Sequence, residues 1–270
     1  MKTKRNLVLF IIIVLSSGWL GVLLDMFLPE QPEGDSLGMG LWLVAPVIAA
    51  TVLRMISRDG KDMGLKPAFK GNGGWYVIAL LIYPAVTLVT TGLAILFSAV
   101  ELSGFTVTLL PAMTLAFLAG IVKNIFEEFA WRGYLTPKLM EQTKSDGTLY
   151  ALSGLIWALW HAPYYLVFLS DRYFLNMSRI STLLIGIVIM GCWNVLFVEM
   201  YRMTKSIWPC VLMHALEDAI PTLLVTDGHL LFTRGGDPLF NPTTGVLATT
   251  LFLCIGLYIR SLRIKKEEPA

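Results

Sequence analysis

The segment Ile121–Leu139, IVKNIFEEFAWRGYLTPKL, places two adjacent carboxylates and an arginine at the end of an apolar run. A charged side chain at the centre of a membrane helix costs about 2.5–3.5 kcal/mol, so acids in such a segment indicate a functional site. On a helix, Glu128 and Arg132 are i,i+4 neighbours, whereas Glu127 points about 100° away. We expect the arginine to neutralise Glu128 and to leave Glu127 for chemistry. The alternative is that these charges only anchor a helix end.

Composition places the chain among polytopic membrane proteins. Of its 270 residues 56% are hydrophobic and 15% are charged, and the mean hydropathy is +0.68, outside the range of ordinary soluble domains. The formal net charge of +2 is too small to indicate nucleic-acid binding, so no nucleic-acid partner is expected. The three cysteines lie in apolar runs without CxxC or CxxH spacing, which predicts neither a disulfide framework nor a thiolate metal site.

Eight apolar segments are long enough to cross a bilayer as helices of about 20 residues. They lie at residues 7–28, 38–56, 74–99, 108–131, 148–170, 181–201, 206–226 and 243–262. The first is interpreted as a retained span, because its apolar run is longer than that of a secretory signal and no small-x-small cleavage site follows. The predicted fold class is all-α, a polytopic membrane helix bundle of about eight spans in a single membrane domain, residues 1–270.

The loop charges predict the orientation of the spans. When the loops are assigned to alternating sides, 17 of the 21 lysines and arginines fall on the side of the two termini and three on the other. Cytoplasmic loops carry the excess of basic residues in membrane proteins. Both termini are therefore predicted to be cytoplasmic.

Two of the three histidines also lie in apolar segments. His161 follows Trp157 by four residues, and Asp218 follows His214 by four, so each pair shares one helix face. His229 lies in a loop and is expected to do no chemistry. In chain order the three patterns are Glu127-Glu128-x-x-x-Arg132, Trp157-x-x-x-His161 and His214-x-x-x-Asp218.

This ordered set resembles the motifs EExxxR, FxxxH and HxxxN/D of the CAAX-protease and bacteriocin-processing (CPBP, Abi-type) intramembrane proteases, which are related to type II CAAX prenyl endopeptidases. The resemblance spans roughly residues 108–225, the expected catalytic core. Trp157 replaces the usual Phe, and Asp218 stands where Asn is common. The site residues that the resemblance implies are Glu127, His161, His214 and Asp218 as catalytic groups and Glu128, Arg132 and Trp157 as supporting groups.

The resemblance also implies an activity and a location. The activity is that of an intramembrane endopeptidase acting on a prenylated tail, a leader or another membrane-associated peptide. The expected partners are membrane lipids and a membrane-associated peptide or protein substrate, in the plasma membrane of a prokaryote. Motifs of serine rhomboid or aspartyl presenilin-type proteases are not found in the spans. The alternative function is a non-catalytic membrane scaffold or regulator, or a small transporter with a proton relay.

Depth predicts that the motifs meet in one wet cavity in the cytoplasmic half of the bilayer, with Glu127 about 6–8 Å and His214 about 12 Å from the cytoplasmic helix ends. Two chemistries fit. In one, Glu127 is the general base for water, helped by His161, while His214 and Asp218 stabilise the oxyanion or protonate the leaving amine. In the other, Glu127, His161 and His214 bind a metal such as zinc. The sequence does not choose, so the cofactor is either zinc or none.

Two residues complicate the first chemistry. An anionic Asp218 cannot donate to an oxyanion, so it would have to be protonated, orient His214 or bind a metal. Lys123 precedes Glu127 by four residues, and a nearby cation would favour the ionised carboxylate and weaken it as a base. The alternative is that Lys123 turns away or pairs with another acid.

Overall fold

The computed structural model describes residues 2–28, 30–32, 35–61, 63–174 and 177–267. The helices are α1 (Lys2–Phe27), α2 (Leu37–Ser57), α3 (Gly73–Leu96), α4 (Leu109–Ala130), α5 (Thr136–Met140), α6 (Asp146–Trp160), α7 (Arg179–Thr204), α8 (Trp208–Glu217), α9 (Leu223–Thr226), α10 (Asp237–Phe240) and α11 (Val246–Glu267). The strands are β1 (Val100–Leu102) and β2 (Leu230–Phe232). π-Helical turns lie at Trp131–Leu135, Tyr164–Phe168 and Asp218–Thr222, and a 3₁₀ turn at Asp171–Phe174. The predicted all-α fold class is confirmed.

Among the described residues, seven helical segments are long and apolar enough to cross a membrane. They are Lys4–Phe27, Leu37–Ser57, Gly73–Leu96, Leu109–Met140, Asp146–Phe168, Arg179–Thr204 and Val246–Glu267, and each matches one predicted span. The remaining predicted span, 206–226, is helical from 208 to 226 but is not one of the seven. Its polar residues include His214, Glu217 and Asp218, which lower its hydropathy. The chain is an integral multi-pass membrane protein; its predicted cytoplasmic ends, Met1 and Ala270, lie outside the described residues.

Contacts divide the chain into two compact units, each built from two segments. Unit 1 comprises Met1–Met63 and Phe126–Asn194, and unit 2 comprises Gly64–Ile125 and Val195–Ala270. Each unit contains part of the motif set. The single membrane domain expected from the sequence stays a prediction.

In unit 1, α1 and α2 pack closely because two glycines face one another. A Cβ on Gly21 would lie 2.3 Å from the Gly38 carbonyl oxygen, and a Cβ on Gly38 would lie 2.1 Å from that of Gly21. Small residues at such crossings let membrane helices approach backbone to backbone. At the same place Asp25 accepts a hydrogen bond from the Gly38 amide, 2.8 Å, and so satisfies one of the open donors at the start of α2.

In unit 2, α3 packs against α8 and α11, and α4 packs against α8. Tyr83 of α3 contacts Phe252 of α11 with ring centroids 4.6 Å apart. Gly120 of α4 permits the approach to α8, since a Cβ there would already be 3.2 Å from the Ala215 Cα. The strands β1 and β2, which the sequence did not predict, pair antiparallel with Val100 opposite Phe232. This packing holds the part of α4 that belongs to unit 2 beside α8.

Candidate active site

The predicted pair of Glu128 and Arg132 is present in unit 1. Arg132 Nη1 lies 3.2 Å from Glu128 Oε1, and both side chains are buried. The π-helical turn Trp131–Leu135 begins one residue before Arg132. The guanidinium carbon of Arg132 lies 4.6 Å from the centre of the Trp157 ring. Arg132 Nη2 also donates to Asn194 Oδ1, 3.4 Å. The arginine is therefore fixed by an acid, an aromatic face and an amide at once.

The sequence analysis did not predict the contact between Asn194 and Arg132. Asn194 Nδ2 donates to Ser153 Oγ, 2.7 Å, and to the Tyr150 carbonyl oxygen, 3.0 Å, so its Oδ1 is turned toward Arg132. The close approach of α6 and α7 makes this possible, because a Cβ on Gly154 would lie 3.1 Å from the Gly191 Cα. The sequence shows an asparagine within an apolar span, but it does not indicate which residue the asparagine contacts.

Glu127 differs from its neighbour Glu128 in lacking an ion pair with any described residue, whereas Glu128 pairs with Arg132. The residue is only 4% exposed, and its Oε2 is buried without a hydrogen-bond partner among the described residues. Buried polar atoms are nearly always paired, so an orphaned one in a native protein indicates a water, an ion or a chemical role. This is the arrangement expected if Arg132 neutralises Glu128 and leaves Glu127 for another molecule.

His161 caps the C-terminus of α6 in unit 1. Its Nδ1 lies 2.9 Å from the Trp157 carbonyl oxygen, and because a carbonyl can only accept, we assign the proton of the neutral ring to Nδ1. The other ring nitrogen, Nε2, is then the acceptor. Rings whose centroids lie 4.7–6.4 Å from that of His161 belong to Trp42, Trp157, Trp160, Tyr164 and Tyr165.

Asp218 is held by two donors in unit 2. Lys123 Nζ lies 3.0 Å from Oδ1, and Asn124 Nδ2 donates to Oδ2, 2.7 Å. Both carboxylate oxygens therefore accept, which fits the ionised form and disagrees with a protonated Asp218 that donates to an oxyanion. Lys123 pairs with this acid, which is the alternative that the sequence left open. Asn124 was not predicted.

His214 and Glu217 lie on α8 close to Asp218. His214 is buried, and its ring packs edge-on against Phe197 with centroids 5.7 Å apart. Glu217 is also buried and accepts a hydrogen bond from the Thr222 hydroxyl of the following π-helical turn. The end of α8 thus gathers a histidine and two acids.

The structure brings the predicted residues together in two groups. Unit 1 contains Glu127, Glu128, Arg132, Trp157 and His161, and unit 2 contains His214 and Asp218 with Lys123. The single cavity predicted for all of them concerns both units and stays a prediction. In the described ranges no three His, Cys, Asp or Glu side chains are placed to bind one metal ion.

His229 precedes β2 in unit 2. Its Nδ1 is 3.0 Å from the Ser103 carbonyl oxygen, at the end of the β1–β2 pair. The expectation that His229 does no chemistry stays a prediction.

Comparison with known families agrees with the motif set. Residues 107–220 match the family described as "Type II CAAX prenyl endopeptidase Rce1-like", and this segment contains every predicted site residue. A search of curated proteins found no match. The match supports a protease activity of the CAAX type but does not identify the catalytic residues. Residues 107–220 are therefore similar to Rce1-like endopeptidases, which confirms the predicted resemblance to the CPBP/CAAX protease family.

Proposed function

We propose that the protein is an intramembrane endopeptidase in which Glu127 activates the water that attacks the scissile peptide bond. The Glu127 carboxylate carries this proposal, because it is buried and forms no ion pair with a described residue. Its neighbour Glu128 is neutralised by Arg132, so the two adjacent acids have different environments and can have different roles. Pairs of carboxylates whose surroundings differ in this way are typical of acid–base sites.

The proposed reaction needs a base, an orienting group and an acid. Glu127 takes a proton from water as the water oxygen bonds to the carbonyl carbon, and Nε2 of His161 accepts a hydrogen bond that orients the water. The C–N bond then breaks, and the leaving nitrogen takes a proton from protonated His214. An ionised Asp218 stabilises that protonated imidazole, because an opposite charge nearby favours the charged form.

The proposed substrate is a prenylated CAAX-type tail or another membrane-associated peptide. The similarity to type II CAAX prenyl endopeptidases supports this class. We further propose that both termini are cytoplasmic and that the protein lies in a prokaryotic plasma membrane. The excess of basic residues on one side supports the orientation.

The test uses the full-length protein in proteoliposomes and a fluorescence-quenched peptide that ends in a farnesylated CAAX sequence. Glu127→Gln keeps the shape of the side chain but cannot accept the proton, so cleavage should fall by about 10²–10⁴-fold. The matched control is Glu101→Gln, an exposed acid of β1, which should cleave like the wild type. Full cleavage by Glu127→Gln would contradict the catalytic role and would favour a scaffold.

Two further arms separate the chemistries. Asp218→Asn should lower cleavage strongly, because the amide places a donor against Lys123 or Asn124 and removes the charge that stabilises His214. Tolerance of Asn would instead indicate a neutral hydrogen-bonding role. Loss of cleavage with 1,10-phenanthroline, restored by added zinc, would favour the metal-dependent alternative.

A further inference from the structure

Helix α2 lies outside the segment that matches the family, yet it contacts both motif-bearing segments of unit 1. We propose that two of its residues, Arg54 and Trp42, are positioning residues: Arg54 for the turn that carries Arg132, and Trp42 for His161. The inference rests on the proposed function, since it concerns the same reaction. It assigns α2 the role of a brace behind the catalytic groups.

Arg54 is a buried cation that is bonded mainly to backbone oxygens. It is 4% exposed, its Nη2 donates to the Gly133 carbonyl, and its Nη1 donates to the Lys61 carbonyl, 2.6 Å. Its acidic neighbour, Asp59, is 3.5 Å away and is shared with Lys138. A buried arginine is costly unless its geometry is satisfied, so one aimed at a carbonyl 79 residues away serves to place that carbonyl.

The Gly133 carbonyl needs an outside donor because of the local sequence. In a regular α-helix it would accept from the amide four residues on, but that residue is Pro137, which has no N–H. The chain forms the π-helical turn Trp131–Leu135 at this point, and Arg54 supplies a donor. Space is also tight there, because a Cβ on Gly133 would lie 3.0 Å from the Met63 carbonyl oxygen. Arg54 therefore stabilises the turn that directs Arg132 to Glu128.

Trp42 makes the corresponding contact at the end of α6. Its Nε1 donates to the Trp160 carbonyl, 2.8 Å, at the helix end where carbonyls commonly lack partners. Its ring stacks on Trp160 with centroids 4.2 Å apart and on Tyr164 with centroids 5.2 Å apart. Trp160 precedes His161 and Tyr164 follows it, so Trp42 contacts the chain on both sides of the histidine and restricts its position.

The predicted effect is a loss of turnover rather than of substrate binding. Neither side chain is placed to contact a peptide in this proposal, but both determine where catalytic groups point. Misplacing a catalytic group by about 1 Å can cost on the order of 10²-fold in rate. We therefore expect Arg54→Gln and Trp42→Ala to lower kcat by roughly 10–100-fold and to change KM by less than about threefold.

The experiment measures kcat and KM per folded molecule on the same farnesylated peptide, with the full-length protein in proteoliposomes. Arg54→Lys keeps the charge but lacks the planar fork, and Trp42→Phe keeps the ring but lacks the donor, so each should recover only part of the rate. Arg58→Gln, at the residue that follows α2, and Trp19→Phe on α1, both exposed, are the matched controls and should behave like the wild type. Wild-type kcat in both Arg54→Gln and Trp42→Ala would overturn the proposal.

A second measurement does not depend on cleavage. With three histidines in the chain, ¹⁵N-imidazole NMR assigned by single His→Ala variants reports the tautomer of His161. We expect the Nδ1–H form in the wild type and in Trp19→Phe, and a mixture of tautomers in Trp42→Ala. An unchanged tautomer in Trp42→Ala would overturn the role of Trp42 even if the farnesylated peptide is not cleaved. Glu127-dependent cleavage with a normal kcat for the α2 variants would instead preserve the proposed function and reject the brace.

Discussion

Two ion pairs of similar length lie beside the predicted catalytic groups, and they differ in burial. In unit 1, Arg132 and Glu128 are 3.2 Å apart with side chains 1% and 0% exposed, whereas in unit 2, Lys123 and Asp218 are 3.0 Å apart with side chains 39% and 24% exposed. Removing one partner of a buried pair leaves an uncompensated charge, but a more accessible pair can be solvated or exchange partners. We therefore expect the Arg132–Glu128 pair to stabilise the fold. The Lys123–Asp218 pair can rearrange when substrate binds.

Breaking the buried pair should have the largest effect on stability. Arg132→Ala leaves Glu128 buried without its cation and should lower the free energy of unfolding by about 3–5 kcal/mol. The measurement is thermal unfolding of the detergent-solubilised protein together with its folded yield. Arg179→Ala, which removes a cation paired with the exposed Asp171, is the control and should lose little. Equal stability of the two variants would contradict the framework role of Arg132.

A second buried ion pair tests whether the loss of stability depends on burial or on the unit in which the pair lies. In unit 2, Arg263 Nε lies 2.6 Å from Glu199 Oε2, and Arg202 also pairs with Glu199, 3.0 Å. Arg263→Ala should cost about 1.5–3 kcal/mol, less than Arg132→Ala, because Arg202 still compensates the acid. The same unfolding assay measures it. A cost near zero would show that burial does not explain the difference in stability expected between the Arg132–Glu128 and Lys123–Asp218 pairs.

Removal of the accessible cation should have a smaller effect on stability. Lys123→Met keeps the length of the side chain and removes its charge, while Asn124 still donates to Asp218. We expect a loss of about 0–1 kcal/mol in unfolding free energy. A loss as large as that of Arg132→Ala would remove the distinction between the pairs.

The smallest effect is expected from an acid outside the spans. Burial alone would raise the pKa of Asp59, but the hydrogen bonds from Lys138 and the Lys61 amide and the charges of Lys138 and Arg54 outweigh it and hold the pKa below the ordinary 3.8. A lowered carboxyl pKa adds stability that is present above pH 3.8 and is lost as the pH falls through the folded-state pKa. Asp59→Asn should therefore be slightly less stable than the wild type at pH 7.

The pH dependence provides the check on Asp59. The difference in unfolding midpoint between Asp59→Asn and the wild type should shrink as the pH is lowered below 3.8. Asp35→Asn, at an exposed acid, should show no such dependence. A difference that grew on acidification would reverse the assigned sign.

The sequence predicted most of the helical segments and, within the candidate site, the pair of Glu128 and Arg132. Seven of the eight predicted spans correspond to membrane-length helices, because apolar runs of about 20 residues have few other uses. The segment 206–226 was harder, since a helix that carries His214 and two acids is less apolar than its neighbours. The short β1–β2 pair was not predicted, because three-residue strands leave almost no pattern.

The sequence by itself determined contacts between residues close together on one helix, but not contacts between residues far apart in the chain. It determined the pairing of Glu128 with Arg132, because residues four apart on a helix are neighbours whatever surrounds them. Only the tertiary structure decided that Lys123 pairs with Asp218, 95 residues away, and that Arg54 binds the Gly133 carbonyl. Several buried partners were compatible with each of these cations. Which partner is reached depends on how the helices pack, and packing is a property of the whole unit rather than of any local pattern.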